Sequence, residues 1–209
     1  MKSKDLKILR KKITKLNRIE YNPMSKFVEG DLKLKLAKAD EGAESLTIAF
    51  VPSKSLEERR LKECLLLFEE NMGDLYRKSS WGLNMDEKTK ELQHENARFL
   101  LLLTNANELG GFVHFRFEYD DDETPSTGVL YLYEIQISAK FRSQGIGTKV
   151  MGLIERIAVD AELPRVMLTA FRQSRAAKFY KDLKYSIDET DPSNYNQVVD
   201  YQIFSRALQ

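Results

Sequence analysis

Cysteine is almost missing from this chain: its 209 residues hold one, Cys64, which excludes a disulfide framework and a cysteine-built zinc site. Cys64 sits among Leu61, Leu65, Phe68 and Met72 at helical spacing, so a core thiol is expected. Histidine is nearly as scarce. His94 and His114 stand alone, with no His–Glu–x–x–His or Cys–His spacing, so no metal site is expected. No apolar run approaches the roughly 18 residues of a membrane span, and the N-terminus lacks the apolar centre of a signal peptide. A soluble intracellular protein is the expectation. Internal repeats and low-complexity tracts are also absent. The glycine patterns of two common nucleotide loops are missing too, since neither a Gly-Lys-Ser/Thr ending nor Gly-x-Gly-x-x-Gly occurs.

Net charge is only +1 and hydrophobic residues make up 42%, enough to bury one good core. The charge is unevenly spread. Met1 to Arg18 holds eight Lys/Arg against one Asp, leaving an acidic remainder. Leu6, Leu9, Ile13 and Leu16 recur there at helical spacing, so part of this basic helix is expected to dock on the body. Its exposed charges fit a plain solvated face, an import signal, or contact with RNA or nucleosomal DNA. No basic body follows, so nucleic acid is not the obvious substrate.

Along the chain, a polar connector runs from Asn22 to Asp40, and Leu46 to Val51 reads as a strand stopped by Pro52. Ser55-Leu-Glu-Glu58 reads as a capping box opening a helix to about Tyr76. A short helix is expected over Asp86 to His94, then strands over Ala97 to Thr104 and Gly111 to Tyr119, joined as a hairpin. Asp120 to Gly128 is an acidic break, and Asp121 to Glu123 read as a solvated loop. Val129 to Ser138 is a strand, followed by a helix carrying Ile146, Val150, Leu153, Ile154 and Ile157 that Pro164 closes. Arg165 to Phe171 is a strand, Ser174 to Leu183 a helix capped by Ser174, and Val199 to Phe204 a last strand. The predicted order is αβααβββαβαβ.

The most informative stretch is the one from Tyr131 to Lys149, a strand entering a glycine turn that opens a helix. Free backbone N–H groups and a positive helix end suit a polyphosphate there. Its Arg142-x-x-Gly145-x-Gly147 pattern resembles the loop with which GCN5-related N-acetyltransferases grip the pyrophosphate of acetyl-coenzyme A. A lone Gly-x-Gly is also an ordinary tight turn. The chain from Leu46 to Arg206 further resembles the NatD-type N-alpha-acetyltransferases. That resemblance rests on Leu75-Tyr76 with Ser79-Ser80-Trp81-Gly82, His114-Phe-Arg-Phe-Glu118, Tyr131-Leu-Tyr-Glu-Ile-Gln136, Val166-Met-Leu-Thr-Ala-Phe171, and Asp191-Pro-Ser193 with Tyr201. It implies an α/β acetyltransferase fold with a central mixed, mostly antiparallel sheet flanked by helices. Residues 1–40 would be the basic helical segment and connector, and residues 41–209 the catalytic domain. It also implies transfer of acetyl from acetyl-coenzyme A to the N-terminal serine of histones beginning Ser-Gly-Arg-Gly, in the nucleus and cytoplasm. The expected partners are histone tails, and a ribosome or nucleosome through the basic helix, with no membrane and a monomeric enzyme.

Acetyl transfer to an amine needs a neutral amine, a polarised carbonyl and release of thiolate. With an α-amine pKa near 8, about a tenth of N-termini are already neutral at pH 7, so a modest base suffices. Strand alternation puts Glu134 on one face with Leu130 and Leu132, where desolvation would raise its pKa and make it a better proton acceptor. A salt bridge to an Arg or Lys is the competing reason for a carboxylate on that face. The resemblance implies a catalytic Glu at this position. By the same resemblance, Tyr133 belongs to the reaction site, Tyr180 is a donor to the leaving thiolate, and the backbone of Ile135, Gln136 and Ile137 meets the pantetheine arm. An aromatic core residue is the plain alternative for Tyr180. Arg142, Ser143, Gln144, Gly145, Ile146, Gly147 and Thr148 would bind the pyrophosphate. Ser174 stands where the wider fold often has Asn, beside Ala177.

For the substrate, the resemblance implies that Glu118 and Asp120 read the arginine, which a charge-assisted contact selects well. It places Tyr76, Trp81, Tyr131, Thr169, Ser193 and Tyr201 in the same pocket. Trp81 has a second reading as a core anchor. Two rivals stand beside the N-terminal enzyme. One is a lysine or small-amine acetyltransferase of the same fold. The other is a noncatalytic chromatin or ribosome binder, although Glu134 and both loop glycines are intact.

Overall fold

The computed structural model describes residues 3–35, 45–121 and 123–208. Met1 and Lys2, residues 36–44 with the end of the Asn22 to Asp40 connector, Asp122 of the acidic stretch and Gln209 lie outside the described residues. The elements are helix α1 (Ser3–Leu16), strands β1 (Lys33–Lys35) and β2 (Ser45–Pro52), helices α2 (Glu58–Lys78) and α3 (Met85–Leu92), then β3 (Arg98–Leu103), β4 (Leu109–Tyr119) and β5 (Gly128–Ile137). Helix α4 (Ile146–Asp160), β6 (Arg165–Phe171), α5 (Arg175–Asp182), β7 (Ser186–Ile187) and β8 (Tyr201–Ala207) complete the chain. Among the described residues the sheet has eight strands, in the order β1-β2-β3-β4-β5-β6-β8-β7. The β5–β6 pair is parallel, whereas β1–β2, β2–β3, β3–β4, β6–β8 and β7–β8 are antiparallel. This is the mixed, mostly antiparallel sheet expected.

Two expectations about element ends are corrected. Helix α2 does not open on a capping box at Ser55. Ser53–Ser55 forms a 3-10 turn, and Glu57 is the N-cap without a side-chain cap bond. The turn is stabilised instead by Ser53, whose hydroxyl donates to His94 O at 2.7 Å. The last strand runs over Tyr201–Ala207 rather than ending at Phe204, because its pairing with β6 continues to Arg165↔Ala207. Strands β1 and β7 are too short for a period of two to reveal them.

The chain forms two compact units. One comprises residues 22–115 and 134–152. Its core packs Cys64, Leu67 and Phe68 of α2 with Leu92 of α3 and with Phe99, Leu101 and Phe112 of β3 and β4. Burying such side chains contributes roughly 1.5–3 kcal/mol each. Of the stripe read from the sequence, Leu61, Cys64 and Phe68 are buried in that core and Leu65 and Met72 pack against it partly buried; Leu67 is a further member.

The other unit comprises residues 1–21, 116–133 and 153–209. Here the apolar stripe of α1 does dock: Ile13 and Leu16 are buried, and Asn17 Nδ2 donates to Phe117 O at 3.0 Å. The seat depends on Gly128, since a Cβ there would come within 2.7 Å of Ile13 Cδ1 and 3.1 Å of Leu163 Cδ2. Lys12 adds a bond to Glu162 O at 2.5 Å. Lys4, Lys7, Lys11 and Lys15 stay exposed, and at 100° per residue they fall on the side of the helix opposite this stripe.

Candidate active site

Strand β5 alternates as its sequence predicts. Leu130, Leu132, Glu134 and Gln136 are buried, while Tyr131, Tyr133, Ile135 and Ile137 are half-buried. Its parallel ladder with β6 ends at Leu132↔Leu168, although β5 continues to Ile137.

Glu134 is 6% exposed and both its oxygens are engaged. Lys88 of α3 donates to Oε1 at 2.8 Å, and Gln136 Nε2 donates to Oε2 at 2.7 Å. Lys88 also donates to Glu91 at 2.8 Å and lies 4.5 Å above the Phe68 ring and 5.4 Å from that of Tyr76. Burial pushes the Glu134 carboxyl above its ordinary range, and the Lys88 ammonium opposes that rise without cancelling it. For Lys88, burial acts downward, but the carboxylates of Glu134 and Glu91 prevail and keep it cationic. Tyr76 is pushed up to about 12, by burial first and by Glu134 next, so it is a neutral hydroxyl. His114 Nδ1 lies 3.8 Å from Glu91 behind this group. Glu134 thus has the salt bridge that is the competing reason for a carboxylate on this face, and burial still raises its carboxyl.

The glycine loop begins right after β5. Arg142 is exposed, with Nε donating to Ile137 O at 2.9 Å and Nη2 donating to Asn71 Oδ1 of α2. Ser143 (φ 58°) and Gly145 (φ 75°) both take left-handed backbone, which glycine adopts without steric cost and serine does not. Nothing lies within 4 Å of where a Gly145 Cβ would stand. Gln144 folds back to Lys140 O at 3.2 Å. Helix α4 then starts at Ile146, and its first-turn N–H groups, those of Gly147 and Thr148 included, lack intrahelical acceptors. An open loop, an exposed cation and a positive helix end together fit a diphosphate. Arg142, the loop backbone and the α4 N-terminus are the groups to hold it.

The other unit groups the remaining tyrosines and acids. Tyr133 OH donates to Glu118 at 3.0 and 2.9 Å, and the Arg116 guanidinium stacks 4.2 Å from the Tyr133 ring while lying 3.7 Å from Glu118. Burial, then the Glu118 charge, push the Tyr133 phenol up, so it stays protonated. Tyr131 is bonded to Thr169 Oγ1 at 2.6 Å, its phenol pushed to about 12 mainly by burial. Its ring centre lies 5.1 Å from that of Tyr133.

Asp120 is held by its own loop and by Arg165. It accepts from the Ser126 and Thr127 N–H groups at 2.9 and 3.0 Å and faces Arg165 Nη2 at 3.1 Å, which together hold its carboxyl below its usual range despite partial burial. Asp191 caps the 3-10 turn that holds Ser193, its Oδ1 accepting from Ser193 N at 2.9 Å and from the Ser193 hydroxyl, and its Oδ2 accepting from Ile203 N at 2.7 Å. Tyr201 lies opposite Phe171 across β8 and β6. Ser174 is the N-cap of α5, accepting from Ala177 N at 3.3 Å and donating to Phe171 O at 2.7 Å. Tyr180 is 5% exposed among the rings of Phe179, Tyr185 and Phe204, the environment of a core aromatic.

Trp81 is 47% exposed, its ring 5.8 Å from Tyr76. The core-anchor reading of Trp81 is thereby corrected: the ring is half in water, and its contact with the core is a T-shaped one to Tyr76.

Sequence reasoning missed Asn71, Lys88 and Glu91. A signal existed for the first two. Asn71 continues the stripe of Cys64, Leu67 and Phe68 at helical spacing, and Lys88 shares a face with Met85 and Leu92. A polar group on an apolar stripe must find a partner.

These features define an α/β acyltransferase with a loop for a phosphorylated cosubstrate. Residues 63–185 match the model of the Acetyltransferase (GNAT) family, and the chain belongs to that family. Its cosubstrate is acetyl-coenzyme A. Among solved structures it is similar to Tetrahymena GCN5, at 12% identity and TM-score 0.58 over 78% of this chain and 97% of that one. It is also similar to Arabidopsis thaliana NAA60 in complex with a bisubstrate analogue, at 13% identity and TM-score 0.54 over 78% and 99%. A GNAT acetyltransferase from Listeria monocytogenes gives 12% identity and TM-score 0.54 over 84% and 99%. At these identities the likeness is one of fold.

Proposed function

We propose that this acetyltransferase acts on the N-terminal serine amine of proteins beginning Ser-Gly-Arg-Gly, as certain histones do, in the nucleus and cytoplasm. The observation that carries the reading is Glu134, a buried carboxylate of raised basicity on the strand that enters the glycine loop. The neutral amine attacks the thioester carbonyl carbon, a C–N bond forms, and the C–S bond breaks. The amine proton passes to Glu134. The thiolate leaves and takes a proton from solvent. Glu118 supports arginine selection, being an acid already oriented by Tyr133 and Arg116. The exposed lysines of α1 suit a polyanionic partner, the nucleic acid of a ribosome or nucleosome.

The test is transfer from labelled acetyl-coenzyme A to a Ser-Gly-Arg-Gly-Lys peptide with a free or a blocked N-terminus. Label on the free peptide alone is the expected result. Label on both would establish the rival lysine enzyme, and label on neither, with coenzyme A bound, the noncatalytic binder.

A further inference from the structure

The glycine loop and Glu134 are joined by a continuous chain of hydrogen bonds. Arg142 Nη2 donates to Asn71 Oδ1. Asn71 Nδ2 donates to Gln136 Oε1 at 2.9 Å, and Gln136 Nε2 donates to Glu134 Oε2 at 2.7 Å. The chain has a direction, and its two ends impose it. A guanidinium offers donors only, so Asn71 turns its oxygen toward Arg142 and its NH2 toward Gln136. Gln136 must then present its own NH2 to Glu134, which as an ionised carboxylate offers acceptors only. The reverse order would set Gln136 Oε1 against Glu134 Oε2 and require a proton on the carboxyl.

Arg142 is also the exposed cation of the loop that fits a diphosphate. A guanidinium pairs an ionised phosphate charge to charge and in a two-pronged geometry, which a single neutral amide oxygen does not offer. Asn71 and the diphosphate thus compete for one side chain.

We propose that Asn71 and Gln136 are positioning residues that couple the loop to the base: a diphosphate held by the loop draws the Arg142 guanidinium away from Asn71, frees the amide chain from its fixed direction, and relieves Glu134 of a permanent N–H donor. This rests on the acetyl-coenzyme A reading and deepens it. Donation from Gln136 holds the Glu134 carboxyl down, whereas burial raises it, so relaxing the chain makes Glu134 the stronger base once the cosubstrate is in place. The other groups around Glu134 are Lys88 and Glu91 of α3 and Tyr76 of α2, with His114 of β4 behind Glu91. They set the baseline on which the amides act.

The coupling is read as protons taken up when coenzyme A binds, measured by titration calorimetry near pH 7 in buffers of different ionisation heat. Coenzyme A without the acetyl group keeps turnover out of the measurement, and its own phosphates contribute equally to every protein compared. Wild type is expected to take up more protons than Glu134→Gln, and Asn71→Leu to lose that excess. By reciprocity, wild-type affinity for coenzyme A falls as pH rises, more steeply than that of Asn71→Leu. Asn71→Ser, whose hydroxyl can both accept and donate, is expected to retain part of the excess and guards against loss of fold in the leucine variant. The excess surviving whole in Asn71→Leu, or no difference between wild type and Glu134→Gln, would overturn the coupling and leave the cosubstrate reading standing. Failure of wild type to bind coenzyme A would remove both.

Discussion

Lys88 and Glu134 form a salt bridge of 2.8 Å in which the side chains are 8% and 6% exposed. Removing one partner of a buried pair typically costs about 3–5 kcal/mol, because the other charge is left without compensation. Here the abandoned group is the proposed base, and it can escape by taking a proton.

Lys88→Met is therefore expected to move the rising limb of kcat against pH to higher pH, since the base must be ionised to act. Stability follows the same sign. Glu134 would then have a folded pKa further above its unfolded value, so the variant holds its stability at acid pH and loses it as pH rises through the folded pKa. Melting temperature and kcat measured together from pH 5 to 9 are the check.

Glu134→Gln keeps the shape and the Lys88 contact but cannot accept the proton. Its kcat is expected to fall on the order of a hundredfold or more, while coenzyme A affinity changes little. Wild-type turnover in this variant would remove Glu134 from the chemistry.

Glu118 and Asp120 are expected to part company. Glu118→Ala should raise KM for Ser-Gly-Arg-Gly peptides on the order of tenfold, the loss of one charge-assisted bond. It should do much less when the arginine is alanine. Asp120→Ala should instead lower stability by about 1–3 kcal/mol, because it strips acceptors from the Ser126 and Thr127 N–H groups and a partner from Arg165. Denaturant melts beside paired-peptide kinetics separate the two effects.

The exposed lysines of α1 give a fourth expectation. Combined Lys7→Glu, Lys11→Glu and Lys15→Glu changes should abolish salt-sensitive binding to a short nucleic-acid duplex, read by fluorescence anisotropy. Acetylation of a free peptide should be unaffected. Equal binding by the variant would leave these lysines as a solvated face.

Much of this was legible in the sequence because the signals were local. The β5 alternation, the Ser174 cap and the Arg142-x-x-Gly145-x-Gly147 turn each depend on neighbours a few residues away. So does the docking stripe of α1, although its seat on Gly128 lies far off in the chain. What stayed hidden were partners brought together from distant segments. Nothing near Lys88 says that it will meet Glu134, 46 positions away, and nothing near Asn71 says that it will bridge Arg142 to Gln136. The misplaced cap at Ser55 has a different cause: Ser53, two residues earlier, found a tertiary acceptor in His94 O, and the chain turned there before the helix began.

Cys64 is the chain's single thiol, fully buried, its pKa pushed to about 12 chiefly by burial. A thiol reagent meets almost no thiolate there until the surrounding core opens. The protein thus carries its own clock: the rate at which Cys64 is alkylated reports how often the α2–α3 core breathes, without any introduced label. Slowing of that clock by coenzyme A would measure how far an occupied loop tightens a core it does not form.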